Sequence, residues 1–101
     1  MGGAVFEFDW DPAKAAANLV KHGVGFEEAM SIFLAPLALT VPDDDQSIGE
    51  QRWVTIGVGG KQRLLLVVHT HVELGHDKVY IRLISARKPT RRERRDYEQT
   101  S

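Results

Sequence analysis

The chain has 101 residues, 43% hydrophobic and 27% charged, with a formal net charge of −1 and no cysteine. That length suits one domain, residues 1–101, able to bury a single core without staples. The absence of cysteine excludes a disulfide framework and a thiolate zinc site. No apolar run reaches the length of a membrane span, and no basic-then-apolar leader opens the chain, so a cytoplasmic protein with no membrane contact is the simplest expectation.

Val5 to Trp10 alternates Phe6, Phe8 and Trp10 against Glu7 and Asp9, which predicts a short strand. Asp11 can cap a helix and Pro12 suits its first position. Ala15, Ala16, Leu19 and Val20 give that helix an apolar stripe, and Lys21-His22-Gly23 stops it. Phe26, Ala29, Met30, Phe33 and Leu34 repeat at helical spacing, so a second helix follows, with Gly25 as its N-cap and Pro36 at its end. The period then changes. Leu37 to Val41 predicts a strand, closed by a loop at Pro42-Asp43-Asp44-Asp45. Arg52 to Val58 predicts another, and Gly59-Gly60 a tight hairpin turn. Arg63 to Val72 is the longest apolar run and reads as the central strand. After a turn at Gly75-His76-Asp77, Val79, Ile81 and Leu83 alternate with Tyr80, Arg82 and Ile84 in a last strand. Pro89 breaks it, and Thr90-Arg91-Arg92-Glu93 is a capping box that opens a terminal helix. The expected fold is α+β: a short N-terminal strand, two helices, a four-stranded hairpin-connected antiparallel sheet and a C-terminal helix.

Charge is unevenly distributed. Arg82 to Ser101 hold seven Lys/Arg against three Asp/Glu, whereas residues 1–81 hold six against eleven. Arg91 and Arg92 fall in the first turn of the last helix, where the dipole prefers acids, and this placement points to an anionic partner. The plainer reading is a solvated helix with i,i+4 ion pairs such as Arg94 with Glu98.

His69, His71 and His76 are close in sequence, yet with no Cys and no helical pair of His ligands their spacing predicts no metal site. Gly57-Val58-Gly59-Gly60 precedes a strand rather than a helix, so it does not fit a phosphate loop, and no nucleophile elbow is present. What remains is a basic and hydroxyl set: Arg52, His69, Arg82, Ser85, Arg87 and Tyr97. Arg82 and Ser85 are three apart, so they face opposite sides of a regular strand unless a bulge intervenes.

Phe8-Asp9-Trp10-Asp11-Pro12 with Lys14, Asn18 and Lys21-His22-Gly23-Val24 resembles the start of the BrnT toxin family. Phe26-Glu27-Glu28-Ala29, Arg52-Trp53 with Ile56-Gly57, and Arg82-Leu83-Ile84-Ser85-Ala86-Arg87 before Thr90-Arg91-Arg92-Glu93-Arg94 extend the resemblance over roughly residues 6 to 98. The resemblance implies a RelE-like fold and the toxin half of a type II toxin–antitoxin pair. It also implies cofactor-free, metal-independent RNA cleavage by the RNA's own 2′-hydroxyl, neutralised by a BrnA-type antitoxin, with DNA met only through that antitoxin. On this reading Arg82 and Arg87 hold the phosphate, Arg52 is a second clamp, His69 carries the proton, and Tyr97 stacks on a base or transfers a proton. Lys14, Lys21, Ser85 and Lys88 are expected to contact RNA, and Arg91, Arg92, Arg94 and Arg95 the antitoxin. A reading of another class stays open: a non-catalytic module whose basic helix docks an acidic protein or nucleic acid. Incubation with labelled RNA separates the two.

Overall fold

The computed structural model describes residues 5–43 and 51–100. Strand β1 (Val5–Asp9) leads into α1 (Pro12–His22), α2 (Phe26–Ser31) and a 3-10 turn (Ile32–Leu34). Then come β2 (Leu39–Pro42), β3 (Trp53–Val58), β4 (Leu64–His69), the two-residue β5 (Val72–Glu73), β6 (Lys78–Arg87) and α3 (Arg91–Thr100). Asp44 and Asp45 of the expected loop lie outside the described residues. Among the described residues no helix is long and apolar enough to cross a membrane.

The helix ends follow their local chemistry. Asp11 Oδ1 accepts from the Ala13 N–H at 2.9 Å, and Gly23 closes α1 in the left-handed conformation (φ 70°), its N–H donating to the Leu19 carbonyl at 2.8 Å. At α3 the capping box forms in full: the Glu93 N–H donates to Thr90 Oγ1 (3.1 Å) and the Thr90 N–H to Glu93 Oε1 (2.8 Å).

The strand order is β1-β6-β4-β3-β2, with β5 on β6 beside β4. The apolar run from Arg63 does become the central strand. Two expectations are corrected. The sheet is mixed rather than wholly antiparallel, because β1 pairs parallel with β6, Val5 opposite Lys78 through Asp9 opposite Arg82. That placement brings Phe6 and Phe8 onto Phe33, with ring centroids 6.0 and 5.3 Å away. Gly59-Gly60 is also not a two-residue turn. The Gly59 N–H bonds the Arg63 carbonyl and the Gln62 N–H the Gly59 carbonyl, in a longer loop with Gln62 at φ 62°. Gly59 answers to packing instead: a Cβ there would lie 2.6 Å from Ser31 Oγ and 3.0 Å from Ile32 Cγ2.

α1, α2 and the 3-10 turn cover one face of the sheet, called here the inner face. Phe26, Ile32, Leu65, Ile81 and Leu83 are fully buried there, each contributing roughly 1.5–3 kcal/mol of apolar burial. Two polar clamps lock this layer. Asn18 on α1 donates to the Ala86 and Val24 carbonyls (2.8 and 3.0 Å) and accepts from the Ala86 N–H (3.1 Å), completing the edge of β6 beyond the reach of β1. Arg63 forks onto Glu28 with two contacts of 2.7 Å and adds the Gly23 carbonyl at 2.9 Å.

Candidate functional site

The opposite, outer face carries the site. β4 and β6 pair as Leu66 with Arg87, Val67 with Ala86 and Val68 with Ser85, but His69 then meets Leu83. Ile84 is therefore an extra residue, a β-bulge in β6. Partners opposite one another share a face, so Leu83 and Ala86 point into the inner core while Ser85 and Arg87 point outward. Arg82, next to Leu83, points outward as well. The bulge thus brings Arg82, Ser85 and Arg87 onto one face, which a regular strand does not allow.

α3 crosses this face and is held by Tyr97, which packs with Ile56 and Leu64 and donates its hydroxyl to the Leu37 carbonyl at 2.9 Å. Beneath it lies a groove of about 560 Å³. Its floor is Val54, Ile56, Leu66 and Val68, and Arg87, Glu93 and Asp96 stand on its walls. Arg87 and Glu93 form a two-pronged ion pair, Nη1 to Oε1 at 2.8 Å and Nη2 to Oε2 at 3.0 Å. The Arg87 guanidinium holds the Glu93 carboxyl down at about 2. Arg87 Nη1 also donates to the Lys88 carbonyl at 3.2 Å. Among the described residues, that leaves the Nε–H and one Nη2–H, the second fork of the guanidinium, for an anion.

The predicted residues divide between the two faces. Arg82, Ser85 and Arg87 gather on the outer face, and Arg52 stands one residue before β3, in alternation with Val54 on that side. Lys88 and Arg94 line a second, adjoining cavity of about 420 Å³. Lys14 and Lys21 lie on α1, which packs against the inner face. Arg91, Arg92, Arg94 and Arg95 are exposed on α3, and Arg94 makes the expected i,i+4 contact with Glu98 at 3.8 Å.

His69 is the clear correction. It is 0% exposed in the inner core, edge-on to Phe33 at 4.8 Å. Nε2 lies 2.7 Å from Thr55 Oγ1 and Nδ1 2.7 Å from the Thr70 carbonyl. A carbonyl only accepts, so Nδ1 carries the proton and Nε2 accepts from Thr55. Burial pushes the ring's pKa down from 6.5 to about 4. A neutral, doubly bonded, enclosed imidazole does not reach an RNA proton. Tyr97 likewise spends its hydroxyl proton on a backbone carbonyl. Among the described residues no group of three His, Cys, Asp or Glu is placed to hold a metal ion.

Two features escaped sequence reading. The Thr-x-x-Glu signature marked Glu93 as a cap, and nothing in it foretold the pairing with Arg87, six residues back. Asp96 on the groove wall carried no motif, although its three-residue step from Glu93 already placed both on one helical stripe.

Fold and site together define a small α+β protein with a cationic, grooved sheet face under a terminal helix. The family model described as "Ribonuclease toxin, BrnT, of type II toxin-antitoxin system" matches residues 10–93. The chain therefore belongs to the BrnT family of ribonuclease toxins. No curated protein matches. The 1.1 Å crystal structure of the Brucella abortus ribonuclease toxin BrnT is similar in fold, with a TM-score of 0.61 at 20% identity over 86% of this chain and all of that one.

Proposed function

We propose that this BrnT-family toxin cleaves RNA on its outer face in the RelE-like manner, without a metal. The RNA 2′-hydroxyl passes its proton to water as its oxygen attacks the adjacent phosphorus, the P–O5′ bond breaks with the 5′-oxygen taking a proton from water, and a 2′,3′-cyclic phosphate forms. The observation that carries this reading is the bulge at Ile84, which turns Arg82, Ser85 and Arg87 to one face of β6, with Arg87 on the wall of the groove. Arg87 offers its open fork to the phosphate, held in place by Glu93, and its charge stabilises the oxyanion that builds up on phosphorus. Arg82 and Arg52 add positive charge, Ser85 and Lys88 contact the flanking strand, and Lys14 and Lys21 are left without a part in the site. With His69 enclosed, none of the predicted residues left on this face has an ordinary pKa near neutrality. Acceleration therefore rests on orientation and charge more than on a strong base.

A BrnA-type antitoxin neutralises the enzyme in the cytoplasm, and DNA enters only through that antitoxin. Purified toxin incubated with end-labelled RNA and with DNA of the same sequence tests the chemistry. RNA should be cut in the presence of EDTA to products ending in cyclic phosphate, and DNA, lacking the hydroxyl, should stay intact. Cut DNA, or RNA cleavage abolished by EDTA, overturns the reading.

A further inference from the structure

The groove under α3 sorts charge. Glu93, Asp96, Tyr97 and Thr100 line it and follow one another at helical spacing, so α3 borders it with a single stripe, Tyr97 buried, Glu93 half-buried and Asp96 exposed at its edge. Arg91, Arg92 and Arg95 of the same helix are exposed and do not line it. Asp43 stands on the rim nearest β2. A phosphate entering here would meet three carboxylates over a hydrocarbon floor, with Arg87 already paired to Glu93. An uncharged flat ring meets the opposite conditions: aliphatic side chains beneath it, Tyr97 beside it, and acceptors at its edge. Carboxylates only accept hydrogen bonds. They match the exocyclic amino groups of cytosine and adenine and repel the carbonyl that uracil presents at the same position.

We propose that this groove is a nucleobase subsite: it receives the unpaired base next to the phosphodiester held by Arg87, and Asp96 selects amino-bearing bases over uracil. The inference rests on the ribonuclease reading and adds its specificity. The segregation of charge on α3 then orients the strand, with phosphates toward the arginine side and the base inward. Reading an unstacked base in a pocket is the usual way in which proteins recognise single-stranded RNA by sequence.

Two measurements on the full chain test it. In the first, cytidine, adenosine and uridine are titrated separately and the backbone amides of Val54, Val68 and Asp96 are followed by NMR. Cytidine and adenosine should shift these amides at lower concentration than uridine, and Asp96→Asn, whose amide can donate to uracil, should narrow the gap. In the second, oligonucleotides differing in one base are cleaved in competition. Cytosine or adenine beside the cut should be favoured over uracil by roughly 5- to 100-fold, and Asp96→Asn should reduce that ratio, with folding checked by thermal melting. Amides unmoved by every nucleoside, or a base ranking unchanged in the variant, overturns the subsite. If the antitoxin moves those amides and no nucleoside does, the groove belongs to the protein partner and the proposal fails. If nucleosides bind with an Asp96-dependent ranking but no RNA is cut, the groove stands and the ribonuclease reading falls.

Discussion

Arg87 and His69 show how far residue type alone carries a site assignment. The chemistry of each side chain suits a site, and their surroundings decide differently. Arg87 reaches the outer face with one fork of its guanidinium committed to Glu93, a further N–H to the Lys88 carbonyl, and the Nε–H and one Nη2–H left. Arg87→Ala should lower cleavage by roughly 10²–10³-fold, as loss of a preorganised donor does. Arg87→Lys should restore little of it, since a point charge cannot bridge Glu93 and a phosphate together. Single-turnover rates on one RNA separate these outcomes, and a fully active lysine variant would mean that charge alone matters there. Arg82→Ala should also abolish toxicity in a protein that still folds; an unfolded variant would make Arg82 a structural ion-pair partner. For His69 the expectation moves from catalysis to stability. The folded ring titrates near 4 and a free histidine near 6.5, so the unfolded chain binds more protons between those values. Stability from this residue is fully present above pH ~6.5 and drains away as pH falls toward about 4, by about 3 kcal/mol in all. Urea melts from pH 7 to 4 should show that slope in the wild type and its loss in a less stable His69→Gln, with cleavage per folded molecule largely kept. Glu93 has the opposite origin but the same sign. Its depressed pKa adds stability present above pH ~4.5 and lost toward about 2, a lower window and a smaller effect because a third of the side chain is exposed.

At the level of elements, what could be read beforehand was whatever short-range chemistry determines. Asp11-Pro12, Lys21-His22-Gly23 and Thr90-x-x-Glu93 each carry their own hydrogen-bonding solution, and the helices begin and end there. The alternation of Val79, Ile81 and Leu83 likewise placed β6. What could not be read depends on contacts distant in sequence. The bulge at Ile84 appears only in the register between β4 and β6. The glycines at 59 and 60 resemble a hairpin signal, yet Gly59 is required because α2 passes too close for a Cβ. Asn18 is the clearest case. In sequence it stands only within the family motif, and in the fold it acts as a piece of strand, giving Ala86 both backbone bonds that no neighbouring strand supplies. Asn18→Ala should cost about 2–3 kcal/mol by leaving buried groups of Ala86 and Val24 unpaired. The urea midpoint should fall with the slope unchanged. Because the clamp sits two residues past the bulge, cleavage should fall too, as Arg87 loses a fixed backbone. Unaltered stability would mean that water replaces the amide without loss.

For the whole molecule, a near-neutral net charge conceals a separation that the linear sequence showed only in part. The excess of arginine from Arg82 onward is plain in the sequence, and only the fold shows that Glu93 and the exposed Asp96 border the groove while Arg91, Arg92 and Arg95 do not. A partner approaching from a distance therefore meets the arginine side first, within the ~8 Å over which charges act at physiological salt. A type II toxin must be met by its antitoxin before it meets much RNA, and we propose that this cationic ridge steers that encounter. Reversing Arg91, Arg92, Arg94 and Arg95 to Glu should slow association with the antitoxin by roughly 10-fold or more at low salt and change dissociation less, because exposed rim charges govern encounter rather than the docked contacts. The difference should shrink as salt rises. Stopped-flow association at two ionic strengths measures it, with circular dichroism to confirm that α3 still forms, since the added glutamates suit the N-terminal dipole but repel Asp96 and Glu98. An on-rate unchanged at both salts would place the antitoxin elsewhere on the surface and leave the ridge to the phosphates of RNA.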